Sequence, residues 1–215
     1  MLFRVTTGRS AFLLVSFLVV TLSASMGFGQ ETKESKESGV EHQSLKFQKW
    51  SGDINVPDPV AISVDDQGRV FVTQTRRRKI QDLDIRQHQE WIPHDLSFTS
   101  VEDKRKFFRE TLAVGGDDGM QSKHVQDLNE DGHHDWRDLT VVSEAIYRLQ
   151  DVDGDGKADE IKTFAEEFKT EVTGIAAGVL AFNGDVYATI APDVWKLTDR
   201  DSDGVAESRE VIATG

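Results

Sequence analysis

The sequence predicts an all-β fold: a partial β-propeller of about two four-stranded blades, with a helix-containing insert. Three observations predict it. Two hairpin patterns recur, a strand motif recurs at an offset of about 48 residues, and each copy of that motif runs into an aspartate-rich loop. A repeat of about 40 to 50 residues suits a propeller blade.

Residues 1–29 read as an export signal, because Arg4 and Arg9 precede an apolar run from Ala11 to Leu22 and small residues follow it. The run is shorter than the ~20 apolar residues that span a bilayer. No transmembrane span is therefore expected after cleavage, and the product is expected in the periplasm or outside the cell. Residues 30–44 are rich in Glu, Lys and Ser and offer almost nothing to bury, so they are expected as a disordered leader.

The propeller portion occupies residues 45–215. Its first hairpin is Val60–Val64, the turn Asp65-Asp66-Gln67-Gly68, and Val70–Thr73. An insert at 76–144 follows, carrying a helix over Val101–Leu112 that Thr99-Ser100 cap and Asp103 completes as a capping box. Ile146–Asp151 is the third strand of this unit and Ile161–Phe164 its fourth. The second unit begins with Val179–Phe182, Asn183-Gly184-Asp185 and Val186–Thr189, and Asn-Gly is the strongest short hairpin signal. Val194–Asp199 repeats Ile146–Asp151, and Arg209–Ala213 is the last strand. A closed propeller needs at least four blades and two leave open edges, so further blades are expected from a longer protein or another chain.

Three acidic loops share the pattern D-x-[DN]-x-D-G-x-x-[DE]. Positions one, three and five are Asp127, Asn129 and Asp131, then Asp151, Asp153 and Asp155, then Asp199, Asp201 and Asp203. Position seven offers the carbonyl of His133, Lys157 or Val205, and position nine adds Asp135, Asp159 or Glu207. Position twelve supplies Asp138 in the first loop and Glu210 in the third, but Lys162 in the second. Hard oxygen ligands around a glycine turn suit Ca²⁺, whereas Zn²⁺ would draw His or Cys. Without a cation each loop holds several like charges together, so folding is expected to couple to calcium.

The plain alternative is a solvated Asp-Gly turn. An EF-hand is rejected because Ala145–Leu149 and Asp193–Leu197 alternate as strands rather than helices. A dockerin-like interaction module is the main rival, since Asp127 precedes Asp151 by 24 residues, but strand rather than helix follows the second loop.

The formal net charge of -13 argues against nucleic acid or an anionic membrane as partner. The absence of Cys removes disulfides and covalent haem attachment from these residues. Arg76-Arg77-Arg78-Lys79 reads as a solvated run or an anion-recognition site. His94, His124, His133 and His134 read as exposed loop histidines. Trp195 and Tyr147 hold equivalent blade positions and are expected to pack between blades, while Trp136 could stack on a sugar.

Asp58-Pro59-Val60-Ala61-Ile62, the stretch Val125–Thr140 with Asp135-Trp136-Arg137-Asp138-Leu139-Thr140, Thr173-Gly174-Ile175-Ala176 and Ala191-Pro192-Asp193 resemble the exported planctomycete propeller proteins. Those proteins are described as membrane-bound dehydrogenases or haem-binding proteins and look related to soluble quinoprotein glucose/sorbosone dehydrogenases. The resemblance implies calcium, pyrroloquinoline quinone as a cofactor, a sugar substrate, and a C-terminal remainder of propeller and haem domain. It carries no catalytic residue onto this chain, and its dehydrogenase activity is a fold-level analogy. The alternative is a non-catalytic, calcium-stiffened propeller that binds polysaccharide or protein.

Overall fold

The computed structural model of the protein describes residues 3–6, 12–13, 46–80, 83 and 85–215. The chain divides into two units, Met1–Gly52 and Asp53–Gly215. In the first, β1 (Phe3–Thr6), β2 (Phe12–Leu13) and β3 (Lys46–Lys49) form an antiparallel sheet of order β2-β1-β3. Most of the expected export signal and all of the expected leader at 30–44 lie outside the described residues.

The second unit is mostly β, built as two four-stranded antiparallel sheets. The first contains β4 (Pro59–Val64), β5 (Val70–Gln74), β6 (Glu144–Gln150) and β7 (Glu160–Phe168). The second contains β8 (Ala176–Phe182), β9 (Asp185–Ile190), β10 (Asp193–Thr198) and β11 (Ser208–Thr214). In both, each strand pairs with the next along the chain. Local chemistry closes the hairpins. Asp65 Oδ1 accepts from the backbone N–H of Gln67 and Arg69 at 3.0 and 2.8 Å. Asn183 and Gly184 take φ of 51° and 83°, the left-handed pair that a two-residue hairpin turn requires.

The alternating apolar residues of the two sheets meet in one core. Phe71, Ile146, Phe164 and Phe168 of the first pack with Val186, Ala188, Ile190 and Leu197 of the second. Trp195 joins this core, its ring 5.2 Å from that of Phe168. Tyr147 does not match it: its hydroxyl donates to Gln74 Oε1 at 3.0 Å and accepts from Arg76 Nη2 at 2.9 Å. The strand β8 lies against β4 and β5, and Ala181 N–H donates to Ser63 Oγ at 3.0 Å.

The insert leaves after β5 and returns at β6. It holds α1 (Arg77–Ile80), α2 (Ile92–Asp95), α3 (Val101–Thr111) and α4 (Asp118–Gln121). The helix α3 starts at Ser100, whose Oγ accepts from Asp103 N–H, while Asp103 Oδ2 accepts from Thr99 N–H. A second apolar cluster of Trp91, Phe108, Leu112, Val125 and Leu139 forms its core, joined by Val172 from the β7–β8 connection. Arg77 from the basic run is 2% exposed and donates to the carbonyls of Leu139, Val142 and Thr170, so it braces the insert rather than facing solvent. Among the described residues, no helix is long and apolar enough to cross a membrane.

Candidate metal centres

The second and third acidic loops follow β6 and β10, which hold the same place in their sheets, so the repeat carries both loops to corresponding turns. Each loop is wound by its own carboxylates, which accept backbone N–H groups across the turn. In the second, Asp151 Oδ2 accepts from Gly156, Asp153 Oδ1 from Asp155, Asp155 Oδ1 from Lys157, and Asp159 Oδ2 from Val152 and Asp153. In the third, Asp199 Oδ2 accepts from Gly204, Asp201 Oδ1 from Asp203, Asp203 Oδ1 from Val205, and Glu207 Oε2 from Arg200. Gly156 and Gly204 at the sixth position have φ of 90° and 95°, which is why the pattern places glycine there.

This winding turns the carboxylates toward one another. Oxygens of Asp151, Asp153 and Asp159 lie within 4.8 Å of each other, and so do oxygens of Asp199, Asp201, Asp203 and Glu207. Two like charges 4 Å apart repel by about 1 kcal/mol in bulk water and about 4 kcal/mol at an effective dielectric of 20. Asp199 adds a second anomaly. Its side chain is 8% exposed, and its Oδ1 has no hydrogen-bond partner. Burying an unpaired carboxylate oxygen is costly, and a cation among these oxygens removes that cost. The donor set fits calcium: all are oxygens, and the loop backbone is already curved. The side chains of Asp155 and Glu210 are not part of the two groups; Glu210 sits within β11, opposite Lys196 of β10.

The first loop has the same winding but a different interior. Asp127 Oδ2 accepts from Gly132, Asn129 Oδ1 from Asp131, and Asp131 Oδ1 from His133. The residue that braces the start of the loop is Asp138 rather than Asp135: its Oδ1 accepts from Leu128 and Asn129 at 2.8 and 3.1 Å, and its Oδ2 from Asp135 N–H. Asp135 instead caps a 3-10 turn at Trp136–Thr140. The Arg137 guanidinium reaches Asp135 Oδ2 at 2.6 Å and Asp131 Oδ2 at 2.8 Å, and holds the Asp135 carboxyl below the usual carboxylate range. Asp127, Asp131 and Asp135 do not form a group like those of the other loops. His133 hydrogen-bonds Asp118, which raises the imidazole's pKa and lowers that of the carboxyl. His134 Nδ1 lies 3.0 Å from the Val125 carbonyl.

Sequence reasoning misses Arg148. This β6 side chain, 5% exposed, passes under the third loop, with Nη2 2.7 Å from Glu160 Oε1 and Nη1 4.0 Å from Asp199 Oδ2. From the other side, Lys162 Nζ donates to the Asp203 carbonyl at 2.6 Å, and Ala206 N–H donates to the Phe164 carbonyl at 2.8 Å. The third loop is thus bonded to the first sheet. No local pattern announces this, because the partners are more than 40 residues apart.

Elsewhere, the Arg109 guanidinium lies 4.7 Å from the centroid of the Trp136 ring and covers one of its faces. A cavity of about 330 Å³ in the insert is lined by Trp91, Phe98, Phe107 and Phe108 with Arg86 and Lys104. A third group of metal-competent side chains, His88, Glu90 and His124, also lies in the insert, outside every motif the sequence displays.

No curated protein and no solved structure matches the chain. A family model does match, over residues 31–215, and the chain accordingly belongs to the family described as a domain of unknown function, DUF7133.

Proposed function

We propose that the protein is an exported calcium-binding propeller segment, in which the second and third acidic loops each hold one Ca²⁺. The observation that carries this reading is the buried, unpartnered Asp199 Oδ1 inside a group of four carboxylates. Asp151, Asp153 and Asp159 hold the ion of the second loop; Asp199, Asp201, Asp203 and Glu207 hold that of the third. Calcium there supplies charge neutralisation and fixes the loop, and the third loop transmits that order to the first sheet through Lys162, Ala206 and Arg148. The first loop needs less, since Arg137 bonds Asp131 and Asp135 at 2.8 and 2.6 Å, whereas Arg148 comes only to 4.0 Å from Asp199 Oδ2 and leaves Oδ1 without a partner.

The propeller reading is supported by two successive four-stranded meanders with their first strands, β4 and β8, side by side. Leu180 and Phe182 are 55% and 57% exposed and alternate with Val179 and Ala181, which pack on the shared core. They therefore face away from the first sheet, and a further blade would cover them. The role that follows is structural: calcium stiffens blades that lack any disulfide.

Thermal unfolding of the full chain in calcium and in EDTA tests this. A higher Tm in calcium is expected, and superimposable curves would contradict it.

A further inference from the structure

The insert brings together three side chains whose chemistry differs from that of the calcium loops. His88 precedes the 3-10 turn Gln89–Trp91 and Glu90 lies within it, while His124 arrives just after α4. The Nδ1 atoms of His88 and His124 are 2.8 Å apart, and Glu90 Oε1 is 3.6 Å from His124 Nδ1. One ligand atom from each residue falls within 4.8 Å of the others.

Packing holds the two rings in this arrangement. The Trp91 ring stacks on His88 with centroids 4.6 Å apart, and lies 4.5 Å from the ring of His124. Trp91 is 5% exposed and belongs to the insert's core, so the imidazoles rest on a fixed wall. The side chain of Glu90 is 58% exposed and marks the solvent side of the group.

Two imidazole nitrogens and one carboxylate are the donor set of a borderline metal, not of Ca²⁺. With metal–ligand bonds of about 2.0 to 2.1 Å, a tetrahedral zinc ion separates its ligand atoms by about 3.3 to 3.4 Å. The two distances above lie on either side of that value. Without an ion, two facing Nδ1 atoms require opposite tautomers, one donating and one accepting. With one, both become ligands and each ring keeps Nε2–H.

We infer that His88, Glu90 and His124 form a Zn²⁺-class metal site in the insert, separate from the acidic loops. Three protein ligands leave a fourth position for water on the side of Glu90, as in zinc sites that are open rather than purely structural. The site pins the turn at residues 88–91 to the segment after α4.

The test uses the untagged full chain in excess Ca²⁺, which occupies the acidic loops, dialysed against Zn²⁺ and assayed by elemental analysis. Co²⁺ serves as a visible probe of tetrahedral nitrogen–oxygen ligation. About one Zn²⁺ per chain is expected for the native protein and for Asp199→Asn. His124→Ala and Glu90→Gln should each weaken Zn²⁺ binding by about tenfold or more. If His124→Ala fails to fold, Glu90→Gln changes only an exposed side chain and gives the same readout in a folded protein. Absence of Zn²⁺ from the native chain, or undiminished uptake by Glu90→Gln, overturns the assignment.

Discussion

Gly204 of the third acidic loop lies directly against the guanidinium of Arg148: a Cβ placed at residue 204 would stand 2.4 Å from Arg148 Cζ. Glycine is required there twice over, because its φ of 95° is also one that side chains rarely adopt. Arg148 cannot easily swing aside, being 5% exposed and paired with Glu160. Gly204→Ala should therefore cost about 1 to 3 kcal/mol. Gly154→Ala, with φ of 79° and open space around its Cβ, incurs only the backbone strain and should cost less. Urea denaturation of both variants in EDTA, which separates packing from calcium affinity, reads the difference.

Glu144 is completely buried and joins three parts of the fold. Its Oε1 accepts from Thr75 Oγ1 and from the N–H groups of Arg76 and Arg77, and its Oε2 accepts from Ala176 N–H at 2.7 Å. One carboxylate thus ties the start of the insert and the start of β8 to β6. Glu144→Gln presents an amide N–H₂ to at least one of these donors and leaves it unsatisfied. A loss of about 2 to 3 kcal/mol is expected from chemical denaturation, and a wild-type value would show that the bonds are dispensable.

Asp185 of β9 lies opposite Thr198 of β10 and pairs diagonally with Lys196. Thr198 Oγ1 donates to Asp185 Oδ1 at 2.5 Å and Lys196 Nζ lies 3.0 Å from Oδ2. The Thr198 hydrogen bond, and then that of Lys196, hold the Asp185 carboxyl below its ordinary value of 3.8. A carboxyl depressed in the folded state stabilises above its unfolded pKa and loses that contribution as pH falls through the folded value. The stability difference between wild type and Asp185→Asn should be level above about pH 5 and shrink below 3.8. A difference that grows on acidification would reverse the sign and contradict this account.

Asp127→Asn and Asp199→Asn distinguish the loops. Asp199→Asn removes a ligand from the group of four, so the calcium-dependent gain in Tm should fall markedly. One site saturated to 100 times its Kd contributes about 2.7 kcal/mol, which sets the scale of the loss. Asp127 lies in the loop where Arg137 pairs with Asp131 and Asp135, so Asp127→Asn should leave most of the calcium response intact.

Much of this fold is legible in the sequence because its signals are local. The Asn183-Gly184 turn, the alternation of Val60–Val64 against Val70–Thr73 and the Ser100 cap each specify an element from neighbouring residues, and the strands and α3 lie where those signals place them. The repeat from Asp151 to Asp199 also places both acidic loops after third strands. What the sequence hides is chemistry assembled from distant residues. Arg137 and Asp138 replace the expected roles within the first loop because a 3-10 turn begins at Trp136 and bends the chain away from the shared template. Arg77 reads as one of four solvated cations, yet it is the member whose guanidinium meets the Leu139 and Val142 carbonyls of the folded insert and the Thr170 carbonyl of the β7–β8 connection. His88 and His124 share no motif, and only the folding of the insert over Trp91 brings them together.

Calorimetric titration of the full, metal-stripped chain with calcium tests the central claim most directly. The account predicts binding of two ions per chain, one at each of the loops whose carboxylates converge, and a single ion in Asp199→Asn. An absence of binding heat together with no retained calcium, or a stoichiometry that Asp199→Asn leaves unchanged, would contradict it.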